Sequence, residues 1–394
     1  MNHRTSRKPR RKGAITVLMA FLAIPLLGMV AFAVDMAWIA STKARLQAAA
    51  DAAAVSGARQ LINGYVLFNA PLATGKEYII SSAETSAKTY AKNFASYNGA
   101  GGVDSLTLND SDIEFGYTSS SGSYSTTLSG KFPNTCKVTL RRDGSANGSL
   151  ALFFAPVLGI STTAVTATAS ATIYTGTTVS SFNYAAGING GLLPVGLDVN
   201  VWTTFYATGT SPDGVVHRAS NGSPQLQIYP SPGNAPGNFG LVSIGPPATS
   251  TPTFSSWLSN GPSPSDLQYF DDNNLVPVSL SSPKAWAGGP GLKSSLGNDF
   301  ANAMNQSRLL PVFQPVSTSP YVAAGGNGSN SYYNIVGFVG VSITQADGSG
   351  SNLNISVQPV ATVDPTMNYD PNTVVPAGEG SSTITTFALP KLTQ

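Results

Sequence analysis

The chain has 394 residues, 42% of them apolar and only 10% charged, against about 25% charged in an average globular protein. The formal charge of +2 hides an asymmetry: Arg4, Arg7, Lys8, Arg10, Arg11 and Lys12 crowd the first twelve residues, leaving 15 basic and 19 acidic groups for the rest. That balance excludes a body that tracks a phosphate backbone, so no nucleic-acid partner is expected. With one cysteine, Cys136, and two histidines, His3 and His217, zinc–thiolate sites and Cys–His catalysis are excluded as well.

Residues 14–34 carry no charge, and as a helix they span roughly 31 Å, close to the hydrocarbon thickness of a bilayer. Pro25 and Gly28 are tolerated in membrane helices. Six cations precede the run and Asp35 closes it. The positive-inside rule then makes residues 1–13 a basic cytoplasmic tail and residues 14–34 a single-pass transmembrane helix, with the bulk of the chain extracytoplasmic. Ala31-Phe32-Ala33 resembles a signal-peptidase site. The apolar run is longer than a signal peptide needs, however, and the helical pattern continues past that site, so a retained anchor is expected.

Residues 35–61 are dominated by alanine, the best helix former. Trp38 sits where an indole suits a membrane–water boundary. Ala44, Ala48, Ala52 and Ser56 recur every fourth residue and line one face, open either to the chain's own domain or to a second helix. Asn63-Gly64 is expected to end this helix. Residues 76–98 repeat the i, i+3, i+4 spacing through Ala83, Ala87, Tyr90, Ala91, Phe94 and Ala95 and predict a second helix. Strands are expected near 104–117, 123–131, 134–142 and 162–174, interrupted by a short apolar helix around 149–158, which together make an α+β body over residues 35–174.

Composition shifts near Thr175, since 22 of the 27 prolines lie beyond it. Strand candidates near 192–206, 225–230, 239–244, 334–345, 352–363 and 382–389 predict a β-rich, sandwich-like region over residues 175–394, with residues 299–310 as its one helix.

The N-terminal order carries a resemblance. A basic run, Lys12-Gly13-Ala14, an apolar span, Val34-Asp35, and then Leu46-Gln47-Ala48-Ala49-Ala50-Asp51-Ala52-Ala53-Ala54 is similar to the start of the Flp pilus-assembly TadE/TadG-like family. Val138-Thr139-Leu140-Arg141-Arg142, Leu152-Phe153-Phe154-Ala155, Leu158-Gly159 and residues 164–171 resemble a second block of that family. Pro236-Gly237-Asn238-Phe239-Gly240 and residues 333–338 are similar to stretches in TadG-like C-terminal halves. The resemblance implies a pilin-like α+β body on a bacterial cytoplasmic-membrane anchor, with other Flp (Tad) pilus-assembly proteins as partners. Prepilin-like members are cut after a glycine and carry a glutamate five residues on. Counted from Gly13, that position is Leu18, so the uncleaved TadG-like type is implied. Some long members also carry a von Willebrand A-type metal module; its Asp-x-Ser-x-Ser run is expected to be absent here, and the module with it.

The residues offer little chemistry. Asp110, Asp112 and Glu114 alternate as on one strand face, and read as a solvated face before a cation site; Asp271-Asp272-Asn273-Asn274 reads as a polar turn. His217 lacks a G-x-S-x-G partner and reads as a strand-edge residue. Asp35 and Asp51 are candidates for pairing with a cation, with Gln47 placed to hydrogen-bond Asp51. No catalytic residue, metal or cofactor is expected. The residues expected to anchor and assemble the chain are Gly13, Asp35, Trp38, Ala44, Ala48, Asp51 and Ala52. Two alternatives stay open: a surface module binding ligand or glycan, which would expose Trp202, Trp257 and Trp286 together, and an extracytoplasmic hydrolase with an acidic pair in a cleft.

Overall fold

The structure, a computed structural model, describes residues 14–229, 239–289, 294–318, 321–326, 330–347, 353–380, 383 and 386–393. Its first element, α1 (Ala14–Asn69), joins the apolar and alanine-rich stretches into one helix of 56 residues. At 1.5 Å per residue that is roughly 84 Å of rod. The expected stop at Asn63-Gly64 is corrected: α1 runs on to Asn69. A Cβ on Gly64 would lie 2.5 Å from the Ala83 Cβ and 2.7 Å from Phe132 Cζ, so this glycine serves close approach rather than termination. In α2 (Lys76–Ser96) the buried stripe is Ala83, Ala87, Ala91 and Ala95, while Tyr90 and Phe94 are exposed.

Strands β1 (Ile113–Thr118), β2 (Tyr124–Ser125), β3 (Thr135–Arg142), β4 (Leu150–Ala151), β5 (Thr162–Thr163) and β6 (Val165–Gly176) follow. Inward and outward residues alternate along β3 and the first half of β6, as a sheet with one covered face requires. The apolar helix expected around 149–158 is instead the β4–β5 hairpin, carrying one 3-10 turn at Ala155–Leu158. Pro156 starts that turn and Gly159, with φ +81°, stops it.

The remainder is β7 (Val179–Phe182), β8 (Val195–Asp198), α3 (Val199–Thr208), β9 (His217–Arg218), β10 (Pro224–Tyr229), β11 (Phe239–Leu241), α4 (Thr251–Asn260), α5 (Pro264–Asp272), β12 (Lys284–Ala287), α6 (Gly297–Asn302) and β13 (Ser307–Gln314). Then come β14 (Ser317–Thr318), β15 (Tyr321–Val322), β16 (Tyr332–Asp347), β17 (Asn354–Pro359), β18 (Met367–Tyr369), β19 (Val374–Pro376) and β20 (Thr386–Thr393). One sheet has the order β19-β6-β3-β1-β2, with β20 also on β6. A larger mixed sheet has the order β11-β8-β13-β16-β17-β10-β9, with β12 also on β16 and one parallel pair, β8 with β13. The chain is therefore mixed α and β, with a long apolar N-terminal helix, a β-rich C-terminal region and no closed barrel among the described residues.

Two boundaries differ from expectation in this region. The strand read at 192–206 ends at Asp198, whose carboxylate accepts from the Asn200 N–H at 2.7 Å and caps α3. The helix read at 299–310 is α6 followed by β13, in which residues 309–313 are all buried, as in a central strand. An aromatic cluster fills the core here. Phe270 lies 4.2 Å from Trp286 and 5.3 Å from Phe182 between ring centroids, and Trp286 lies 5.7 Å from Phe338.

Contacts group the chain into two units. One comprises residues up to Ala53, Ala91–Ile113 and Val138–Ala169; the other comprises Ala54–Tyr90, Glu114–Lys137 and Ser170 onward.

Candidate functional site

The first charged residue after the apolar run is the best-organised polar group on α1. Asp35 is 4% exposed. Its Oδ1 accepts from the Phe153 N–H at 2.8 Å, its Oδ2 from the Ala155 N–H at 2.7 Å, and the Phe154 N–H reaches both oxygens at 3.1–3.3 Å. Those amides open the 3-10 turn Ala155–Leu158, whose own flanking residues supply no side-chain cap. The carboxylate thus binds three successive N–H donors at the start of a turn, the arrangement that suits an anion. Burial pushes its pKa up and the three donors outweigh it, so the group ionises below the ordinary aspartate range. Backbone amides, rather than the cation considered from the sequence, are the partners of Asp35.

Trp38 lies one turn further along, half-buried, with its ring centroid 5.6 Å from that of Phe153. Gln47 donates to Asp51 Oδ1 at 2.8 Å, the expected i, i+4 bond, and to the Thr168 carbonyl at 3.0 Å. The buried face of this part of α1 is Leu46, Ala49, Ala50 and Ala53. Ala44 and Ala48 lie exposed beside it, and Ala52 is half-buried. Gly13 lies outside the described residues.

Arg142, quoted above only as part of a block, proves central to the same unit. Its guanidinium is buried and donates to the carbonyls of Ala100 at 2.7 Å, Gly101 at 2.6 Å and Gly148 at 2.9 Å. Burial lowers its pKa. Gly101 has φ +59°, and a Cβ there would meet Leu150, Thr42 and the Arg142 guanidinium within 3 Å. No sequence pattern announces this cluster, because its carbonyls come from segments nearly fifty residues apart.

The remaining candidates resolve into structural roles. Residues 110–112 form a 3-10 turn rather than one strand face, and the carboxylates of that stretch are divided among separate cations. Asp110 pairs with Lys92, Asp112 with Arg141 at 2.6 Å, and Glu114 with Lys137 at 3.5 Å. Asp271 and Asp272 end α5. His217 is a strand-edge residue on β9 and lies 2.7 Å from Asp213, four positions earlier. Trp202, Trp257 and Trp286 are all buried, so they do not form an exposed aromatic face. A cleft of about 460 Å³ opens beside Trp257 and Asp266, yet the Trp257 N–H and the Ser263 hydroxyl already occupy the Asp266 carboxylate.

One expectation about motifs is corrected. Asp347-Gly348-Ser349-Gly350-Ser351 does spell Asp-x-Ser-x-Ser. Asp347 ends β16 opposite Asn354 of β17 in an antiparallel pair. The Gln345 side chain donates to the Asp347 carboxylate at 2.8 Å. Gly348 to Ser351 lie outside the described residues. Among the described residues no group of three or more His, Cys, Asp or Glu is arranged to hold a metal.

Residues 13–60 match a family model described as putative Flp pilus-assembly TadE/G-like, and residues 56–171 match one described as putative Tad-like Flp pilus-assembly. No curated protein and no solved structure matches the chain.

Proposed function

We propose that the protein, whose residues 13–60 match the TadE/G-like model and residues 56–171 the Tad-like Flp pilus-assembly model, is a membrane-anchored structural component of a Flp (Tad) type pilus or related secretion apparatus. It acts by protein–protein assembly rather than by catalysis. The observation that carries the anchoring is the state of residues 17–34. Their large apolar side chains are exposed on all sides of α1, which for an 18-residue stretch of mean hydropathy 2.6 describes a lipid-facing surface better than a soluble one. The six cations before this stretch support a cytoplasmic N-terminus and an extracytoplasmic body in the cytoplasmic membrane. The exposed Ala44 and Ala48, beside a buried alanine face, support a helix that meets other assembly proteins beyond the membrane.

The test is intact mass and N-terminal sequencing of the protein recovered from carbonate-washed membranes, with the co-purifying proteins identified. A retained Gly13 and co-purifying pilus-assembly proteins are the expected result. A chain starting at Ala14 would move the protein into the fibre as a processed subunit. A soluble chain starting at Val34 would overturn the anchor.

A further inference from the structure

Outside residues 17–34, the β4–β5 hairpin carries a dense run of exposed apolar side chains. Phe153, Phe154, Val157, Leu158 and Ile160 are exposed within eight residues, Val157 at 87% and Leu158 at 81%. From Gly144 to Leu197 the chain has no charged residue. Soluble surfaces rarely keep such a patch open to water. The hairpin is also fixed in place: its turn amides are held by Asp35, the residue immediately after the apolar run, and Phe153 lies against Trp38. A bilayer that covers residues 14–34 therefore ends at the level of this turn.

We propose that the β4–β5 turn is a second membrane contact, a monotopic wedge that enters the outer-leaflet interface beside α1 and fixes the body's orientation on the bilayer. The occupant is lipid because the patch is continuous with the lipid-facing helix and carries no charge with which to select a protein partner. Two-point attachment also accounts for a buried carboxylate at this position. A helix leaving a membrane needs no cap for a remote turn unless that turn has to stay at the membrane surface. The proposal rests on α1 being the membrane anchor.

The experiment uses the full chain in phosphatidylcholine vesicles, with an environment-sensitive fluorophore on V157C, L158C, I24C or A44C. Buried Cys136 stays in place, and the unsubstituted protein controls for its labelling. Doxyl-labelled lipids carry the quencher at the fifth or the twelfth acyl carbon. Insertion to interfacial depth predicts that V157C and L158C lose roughly half their emission to the fifth-carbon quencher and less to the twelfth. I24C should show the reverse order. A44C, roughly 13 Å beyond Asp35 along the helix, should not be quenched. Quenched I24C with unquenched V157C and L158C overturns the wedge and keeps the anchor. Unquenched I24C overturns the anchor and the wedge together. If V157C is shielded from aqueous iodide yet untouched by either lipid, a protein covers the turn and the lipid assignment is wrong.

Discussion

The Tyr117 hydroxyl donates a 2.6 Å hydrogen bond to Glu379 Oε1, joining residues 262 positions apart. Lys131 Nζ reaches the same oxygen at 3.2 Å, and the Ser120 N–H and hydroxyl reach Oε2 at 3.3 and 3.2 Å. The Tyr117 bond, with those from Ser120 and Lys131, holds the Glu379 pKa down at about 2, against an ordinary 4.5. A group depressed in the folded state stabilises fully above its unfolded pKa and loses that contribution as pH falls through the folded one. Glu379→Gln should therefore lower the thermal midpoint at neutral pH. The gap to the wild type should close between about pH 4.5 and pH 2. Circular dichroism melts of the detergent-solubilised chain across that range measure it, and a gap independent of pH would refute the assignment.

Gly64→Ala sets two effects against each other. Replacing a helical glycine gains about 1 kcal/mol of propensity, while overpacking costs about 1–3 kcal/mol. The new methyl would meet Ala83 Cβ at 2.5 Å, an atom with no rotamer to yield, so overpacking wins. A net loss of up to about 2 kcal/mol in urea unfolding is expected.

Arg142→Met leaves the carbonyls of Ala100, Gly101 and Gly148 buried without their donors. A loss of at least about 3 kcal/mol follows from unsatisfied buried acceptors. Arg142→Lys should recover only part of it, because an ammonium lacks the planar fork that reaches three carbonyls at once. Full recovery with lysine, read from urea midpoints, would mean that charge alone matters.

Trp286→Ala removes the ring stacked 4.2 Å from Phe270 and the N–H that donates to the Leu275 carbonyl at 3.0 Å. A cost of about 3–5 kcal/mol is expected for a truncation of this size in a packed core. Hydrogen exchange of β16 and α5, which flank the ring, reports it.

Cys136 is fully buried on β3, and burial pushes its pKa up to about 12. Native protein should resist a maleimide–polyethylene glycol reagent and label only after unfolding, as a gel shift would show. Labelling of the native chain would mean that β3 opens locally.

The apolar N-terminal helix was legible as one long uncharged run, and the alanine helix and the long strands because each repeats one period over many residues. Three helices were not. Val199, Val201 and Trp202 carry strand-forming side chains, and only the Asp198 cap and the surrounding core make α3 helical. The signals for α4 and α5 were present, with Ser250 three residues before Thr253 and a Ser263–Asp266 capping box, but they sit in Ser- and Pro-rich sequence that also describes turns. Asp35 was visible as a candidate and its partners were not, since amides carry no residue identity and these lie about 120 positions away. Arg142 was hidden for the same reason.

Gly176, the last residue of β6, is paired both with Val374 of β19 and with Thr386 of β20. The chain thus returns to the strand it left after an excursion of nearly two hundred residues, and the two ends of that excursion stand one strand spacing apart, about 4.8 Å. Residues 177–373 are in topological terms a cassette inserted into a hairpin, and the family match stops at residue 171, just short of its near end. A body of different size or specificity can be exchanged at this junction while the helix and the first sheet keep their connections.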